Sequence, residues 1–457
     1  MKIGLRLTIL FFTIAFLSIS VIGYLSYHQA KNSLEKESFN RLTAVREMKA
    51  AQIEDYFHEI RSQVVTFSEN HSVIGAMKEF KSGFEKIDSE IPHSDEAEEE
   101  LKTYYETEFL PELNPNVKQV AILEDFWPTD ERTKRLQQAY ISSNPNPPDN
   151  KHFLTSLPDS SSYNTAHEHY HPIFRNFLEK FGFHDLFLID DESGDIVYSV
   201  FKEVDFSTSL LTGPFRTTNF SRVYRAAIGS DQKNFISIVD FEPYKPSHNQ
   251  PSSFIASPIY DKDERIGVLV FQMPIDKINN IMTSREDWSK VGLGESGETY
   301  IVGHDLTLRN QSRFLIEDRK HYLKMIEEIG VSEDTIAMIR NFNSTVGLQT
   351  VRTEGTMHAQ SGETDTRIYE DYRGVSVLSA YKPLAIEGLD WVILSDIDED
   401  EAFAAVGHLR DSIVFVFVIL ILVIIIVSFL FSSGITKPIK ALTKSSKELA
   451  GGNLDAK

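Results

Sequence analysis

Apolar positions along this chain follow four patterns, and each predicts a different element. From Leu7 to Leu25 (LTILFFTIAFLSISVIGYL) no charge interrupts the run, and from Ile413 to Phe431 (IVFVFVILILVIIIVSFLF) Ser428 is its one polar residue. Either run is long enough to cross a bilayer as a helix. Between Gly23 and Gly75 there is neither Gly nor Pro, and Leu42, Val45, Ile53, Tyr56, Ile60, Val64 and Phe67 recur near helical spacing. This predicts a long helix rising from the first span. Its apolar stripe has two possible partners, the rest of the chain or a second copy.

The third pattern is a turn-forming stretch at about 141–164, with Asn144-Pro-Asn-Pro-Pro-Asp149 and Pro158-Asp-Ser-Ser-Ser162, which reads as loop. The fourth is short apolar runs between turns. After a helix expected over Pro172–Phe181 and closed by Gly182, FHDLFLID and IVYSV flank DESGD, which predicts a β-hairpin. Further strands are expected at Phe235–Phe241, Phe254–Tyr260 and Ile266–Met273, with a helix in 216–229. A similar order recurs after residue 290: a hairpin of Glu298–Val302 and Leu306–Arg309, a helical segment over 316–341, and strands at Ile368–Tyr372, Val375–Pro383 and Trp391–Ile397. GVLVFQMPIDKI near 267 and WVILSDIDEDEAF near 391 close the two units alike, at an offset of about 124 residues, which suggests two copies of one α+β module.

These patterns divide the chain into a cytoplasmic start at 1–6, a first transmembrane helix at 7–27, and a stalk helix with further helical region at 28–114. A membrane-distal module at 115–280, a membrane-proximal module at 281–411 and a second transmembrane helix at 412–433 come next, before a cytoplasmic tail at 434–457. For the first span a secretory signal is the competing reading, since Lys2 and Arg6 precede it, but the apolar run is too long and no A-x-A cleavage site follows. Lys437, Lys440, Lys444 and Lys447 follow the second span, so the positive-inside rule places both termini in the cytoplasm and residues 28–411 outside.

Composition narrows the function. The 457 residues carry 46 Lys+Arg against 67 Asp+Glu, a net charge of -21, and no cysteine. That excludes disulfide scaffolds, thiolate metal sites, iron–sulfur centres and thiol enzymes. It also argues against nucleic acid as a partner, because such binding needs a basic surface. Absence of cysteine from an exported segment fits a bacterial periplasm, so the protein is expected in the bacterial inner membrane as a two-pass protein. In that setting the sequons at Asn219 and Asn343 carry no meaning, and the DEAEEE run at 95–100 reads as a solvated helix face.

Two motifs invite chemistry. Gly292-Leu-Gly-Glu-Ser-Gly297 is a literal G-x-G-x-x-G, but no strand precedes it and a strand follows, the reverse of a dinucleotide site. His167-Glu-His-Tyr-His171 sets imidazoles at alternate positions, which offers His167, His169 and His171 to a metal, but no fourth ligand stands at motif spacing. G-x-S-x-G and H-E-x-x-H are both absent. No metal and no cofactor are therefore expected, and no catalytic residue is assigned.

After the second span stands Ile435-Thr-Lys-Pro-Ile-Lys-Ala-Leu-Thr, and the chain ends near Gly452-Asn-Leu-Asp455. Ile439, Leu442, Ser446 and Leu449 step by 3, 4 and 3, as a coiled-coil seam requires. This segment resembles the first part of a HAMP linker. The whole layout, with phrases such as Tyr170-His-Pro172, Phe181-Gly-Phe-His-Asp-Leu-Phe-Leu-Ile-Asp190 and Gly292-Leu-Gly-Glu-Ser-Gly-Glu-Thr-Tyr300, resembles the double Cache family of bacterial sensors. That resemblance implies an α+β fold of two PAS-like antiparallel sheets outside the membrane and a ligand pocket in the distal module. It also implies a homodimer signalling to a histidine kinase, chemotaxis or nucleotide cyclase output. One Cache subgroup binds α-amino acids, but here Val223 and Ser221 stand where its Trp and Arg are expected, and Phe271-Gln272-Met273-Pro274 lacks its closing Asp.

Polar or aromatic residues set among the distal strands are the expected ligand contacts: Tyr198, Tyr224, Asp240, Tyr244, Ser257 and Gln272. The expected function is the sensing portion of a transmembrane receptor for a periplasmic small molecule. A membrane-anchored exported enzyme and a non-sensory structural membrane protein are the alternatives.

Overall fold

The computed structural model describes residues 3–451. Two compact units result, one of residues up to Arg41 and from Asp398 onward, the other Leu42–Ile397.

In the first unit, the early part of helix α1 (Ile3–Ser68) lies beside the helix Ala404–Ala450. Phe11 meets Phe431 edge-on with ring centres 5.6 Å apart, and Phe16 meets Phe417 at 5.4 Å. Both helices are long and apolar enough to cross a membrane by length and composition. The helix Ala404–Ala450 runs on through Pro438 and spans the four positions of the expected seam, whereas Gly452-Asn-Leu-Asp455 lies outside the described residues.

In the second unit, α2 (His71–Glu90) starts at Asn70, whose side chain accepts from the Ser72 N–H at 2.8 Å, and buries Val73, Met77, Phe80, Phe84 and Ile87 at helical spacing. Helix α3 (Asp95–Tyr104) begins at Ser94, and Asp95, Glu96 and Glu98 in its first turn suit the positive end of the helix dipole. The DEAEEE run is thus a helix start. Two π-turns come after it, Tyr105–Phe109 and Gln138–Ser142, and the Tyr105 hydroxyl donates to Gln137 Oε1, just before the second, at 2.8 Å.

Five strands, β1 (Asp185–Ile189), β2 (Ile196–Ser199), β3 (Ser237–Tyr244), β4 (Gln250–Asp261) and β5 (Glu264–Gln272), form one antiparallel sheet in the order β2-β1-β5-β4-β3. The β1–β2 turn closes as its sequence demands: Gly194 takes φ +72, and Asp190 Oδ2 accepts from the Ser193 hydroxyl at 2.7 Å. Alternate residues serve opposite faces. Leu186, Leu188, Ile255, Leu269 and Phe271 pack against α1, α2 and the helix Ser162–Phe181. Phe187, Ile189, Phe254, Val268 and Val270 pack against the helix Asn219–Ile228 and the 101–126 region. Burial on both faces explains why these strands read as continuous apolar runs.

Four strands, β6 (Glu298–Val302), β7 (Asp365–Glu370), β8 (Ser376–Pro383) and β9 (Val392–Asp398), form the second antiparallel sheet, ordered β6-β9-β8-β7. Tyr300, Val302, Val377, Val392 and Leu394 pack under helices through Leu315, Tyr322, Ile326 and Ile339. On the other face Ile301 and Ile393 join Trp391, Leu384 and Phe57 of α1, so the first core continues from one sheet to the other along α1. The architecture is the expected α+β fold with a long N-terminal helix and two antiparallel sheets.

Three local expectations are corrected. The helix expected from Pro172 begins at Ser162, because Ser161 caps it by accepting from the Asn164 N–H, and Pro172 is accommodated inside. Leu306–Arg309 forms isolated bridges to Val302 and Thr350 instead of a strand, since the Leu308 N–H turns to the Gln349 carbonyl at 3.0 Å. The 316–341 segment is interrupted: Arg313–Glu317, Arg319–Glu328 and Glu333–Phe342 are separate helices, parted at the cap Asp318 and at Gly330, which takes φ +89.

Candidate functional site

At the end of the first sheet where β5 and β3 finish and β4 begins, a cleft of about 540 Å³ opens between the strands and the 104–113 helical segment. Tyr104, Phe109 and Phe201 supply aromatic surface, Glu108, Glu112, Asp149 and Glu203 carboxylates, and Lys151 an ammonium. A neighbouring cavity of about 210 Å³ shares His184, Phe201 and Gln250 with it and reaches Ser252 and Gln272.

A chain of polar bonds lines this region. The Ser247 hydroxyl donates to Glu203 Oε2 at 2.7 Å, while Gln272 Nε2 donates to Ser252 Oγ at 2.9 Å and faces Ser247 Oγ at 3.4 Å. Gln272 Oε1 is buried and has no partner among the described residues, so it can accept one more donor. Lys151 is 7 % exposed; its Nζ donates to the Tyr104 hydroxyl at 3.0 Å and lies over that ring. Acceptors, an ammonium and aromatic walls together suit a small polar molecule with donor groups and a partly apolar body.

Behind the cleft wall, Tyr244 donates to Asp205 Oδ2 at 2.5 Å, and Asp205 Oδ1 has no partner among the described residues. Burial, reinforced by the charge of Glu203, pushes the Asp205 carboxyl up to about 7. Lys202 is buried nearby with φ +54, donates to the Ser199 carbonyl at 2.8 Å and faces the rings of Tyr198, Tyr140 and Phe206. Its burial lowers the ammonium to about 7.

The six expected contacts do not converge. Gln272 lines the smaller cavity, as described. Tyr244 faces the same side of the sheet but is engaged by Asp205, and Tyr224, also on that side, donates to the Asp190 carbonyl at 2.8 Å. Tyr198 and Ser257 face the opposite side, where the Tyr198 hydroxyl donates to His171 Nδ1 at 2.6 Å and Ser257 Oγ meets Ser68 Oγ at 3.1 Å. Asp240 is held by Arg309 through Nε and Nη2, both at 2.8 Å. Sequence reading passed over Lys151, Glu203 and Ser247. Lys151 lies in the turn-rich stretch read as loop, and nothing in that composition marks a buried ammonium.

The histidine triplet also resolves. Helical geometry puts His167 and His171 on the buried face, rings stacked 4.3 Å apart, and leaves His169 exposed on the other. His171 Nε2 bonds the His152 carbonyl at 2.7 Å and His167 Nδ1 the Thr155 carbonyl at 2.8 Å, so the three imidazoles do not face a common point. Burial holds both buried rings neutral, His171 down to about 2. Gly292 and Gly294, with φ +82 and +61, make a turn that leads into β6, not a phosphate-facing helix start.

The sequence profile of the Cache domain matches residues 27–406, and the chain belongs to that family. Solved structures similar to it include three ligand-binding or sensor domains. A Pseudomonas aeruginosa amino acid chemoreceptor domain in complex with GABA is 14 % identical, with 54 % of this chain and 85 % of that chain covered and a TM-score of 0.31. A Campylobacter jejuni chemoreceptor domain in complex with L-valine is 10 % identical, covering 81 % and 97 %, with a TM-score of 0.37. The sensor domain of a V. cholerae histidine kinase, DctB, is 12 % identical, covering 50 % and 77 %, with a TM-score of 0.29. No curated protein matches the chain.

Proposed function

We propose that this chain is the sensing portion of a transmembrane receptor of the bacterial inner membrane, which takes a periplasmic small molecule into the cleft around Lys151, Glu203 and Gln272. The observation that carries this reading is a Cache domain over residues 27–406 bounded by two apolar helices long enough to span a bilayer. Lysines after the second apolar run support cytoplasmic termini and an exported domain. On this reading the protein is a homodimer, and the ligand shifts it between two packings by its affinity difference for them. The helix from Ala404 onward carries the shift through the bilayer into the HAMP-like seam at Ile439, Leu442, Ser446 and Leu449, and so to a kinase, chemotaxis or cyclase output.

The test is thermal unfolding of the full chain in lipid nanodiscs against amino acids, amines, organic acids, sugars and purines. A ligand at a hundred times its dissociation constant adds about 2.7 kcal/mol of stability. One chemical class is expected to raise the melting temperature, and Lys151→Met, Glu203→Gln or Gln272→Leu to abolish that rise. A rise that survives all three moves the site elsewhere. If no compound in the panel acts, small-molecule sensing gives way to recognition of a partner protein.

A further inference from the structure

Strand β3 touches both halves of the second unit. It pairs in register with β4 at Val239↔Phe254 and again at Glu242↔Ser252, and Asp240 and Phe241 between them interrupt the ladder as a bulge. A bulge re-aims its side chains, and here both turn toward the four-stranded sheet's connections. The Asp240 carboxylate takes two bonds from Arg309, Nε to Oδ1 and Nη2 to Oδ2, each 2.8 Å. Arg309 is 1 % exposed, and its other N–H groups donate to Asp305 Oδ1 at 2.8 Å and to the Thr307 carbonyl and hydroxyl at 3.0 and 2.5 Å. A side chain at position 303 would collide with the guanidinium, so Gly303 is what lets the arginine lie flat there.

Phe241, the other bulge residue, stacks on Trp391 with centroids 6.3 Å apart, and Trp391 meets Phe57 of α1 edge-on at 5.3 Å. Asn219 Nδ2 holds the bulge from behind, donating to the carbonyls of Asp240 at 3.0 Å and Ser252 at 2.7 Å. Four residues beyond Asp240 the same strand ends at Tyr244, and the turn after it carries Ser247 into the cleft.

We propose that the β3 bulge is the joint that couples the two sheets, with Arg309 as its positioning residue. A displacement of β3 is delivered through Asp240 and Phe241 to the 303–309 turn and to Trp391, the residue just before β9. A planar guanidinium with two parallel bonds to one carboxylate fixes direction as well as distance, which a lysine does not do. Because its N–H groups are matched in one seat, Arg309 is either docked or undocked, the discrete behaviour a relay needs. The coupling is a property of the fold and holds whether or not the cleft takes a ligand.

Native-state hydrogen exchange on the full chain in nanodiscs tests it without any ligand. Val270→Ala loosens the five-stranded sheet from the face remote from α1. With the ion pair intact, this lesion is expected to speed exchange of β8 and β9 amides about threefold or more as well as that of β1–β5. In an Arg309→Gln background the acceleration is expected to stay within β1–β5, and Asp240→Asn, which keeps the guanidinium, is expected to do the same if Arg309→Gln does not fold. Glu242→Gln, on the same strand, which breaks its exposed pair with Arg222 of the helix Asn219–Ile228, is expected to leave transmission intact. The joint is overturned if β8 and β9 ignore Val270→Ala in the native background, if they respond equally without the ion pair, or if Glu242→Gln uncouples the sheets as well.

Discussion

Each sheet sets a tyrosine hydroxyl on a buried aspartate, but the surroundings differ. In the five-stranded sheet Tyr244 serves Asp205, which sits in a loop next to Glu203 and Val204, both on the cleft wall. In the four-stranded sheet Tyr300 serves Asp396 at 2.5 Å, and Asp396 lies within β9, opposite Glu298 of β6. Burial pushes both carboxyls up to about 7. The same polar pair thus stands beside an open cleft in one sheet and inside a strand ladder in the other. Asp205 is therefore the carboxyl of the two whose surroundings a molecule in the cleft is expected to change first.

The largest effects come from the cores themselves. Phe271→Ala is expected to cost about 3–5 kcal/mol and Leu394→Ala about 2–5 kcal/mol in denaturant unfolding, since both side chains are fully buried. If the sheets are coupled at the β3 bulge, either lesion lowers the stability of both. Two separate transitions, each shifted by one lesion alone, would break the comparison.

Hydroxyl deletion comes next. Tyr244→Phe removes the hydroxyl donor of Asp205, and Tyr300→Phe removes one of the donors of Asp396, which keeps Ser379, an expected loss of about 1–3 kcal/mol each. Ligand that stabilises the chain is expected to do so less in Tyr244→Phe and unchanged in Tyr300→Phe, read from the thermal shift.

The pH profile separates the charges. An aspartate raised from 3.8 to about 7 holds its proton in the folded state where the unfolded chain has lost it. Stability from Asp205 and Asp396 is therefore full below about pH 4 and is lost as pH rises to about 7. Lys202, lowered from 10.5 to about 7, acts in the opposite sense, and stability is regained between those values. Melting temperature against pH is expected to dip near neutrality, and Asp205→Asn with Asp396→Asn to flatten the acid side of the dip. At the small end, Lys324→Ala removes an exposed pair with Glu328 and is expected to change stability by about 0.5 kcal/mol or less.

Much of the fold was legible because local signals agreed with tertiary ones. The Asp190–Asp195 turn, the apolar strand runs and the Gly182 stop all appear where residue type demands them. Legibility failed where a distant contact overrode local preference. Pro172 suggested a helix start, but the Ser161 cap lies upstream, and Arg309 left a strand pattern to reach Asp240, sixty-nine residues away. The cleft was least visible, because its walls are polar residues scattered over the 104–113 segment, the 148–151 turn and the ends of β3–β5. Gln272 was recoverable as a polar side chain closing an apolar strand, whereas Lys151 had no such signature.

The two π-turns, Tyr105–Phe109 and Gln138–Ser142, close i→i+5 bonds where an α-helix closes i→i+4, so each takes one residue more per turn. Across the first of them Glu108 and Phe109 both reach the cleft while Tyr105 finds Gln137. Deleting Thr107 is expected to rotate the helical turn that follows and to present a different wall to the same strands. A change of one residue in a helix would then re-cut the cleft without touching the sheet.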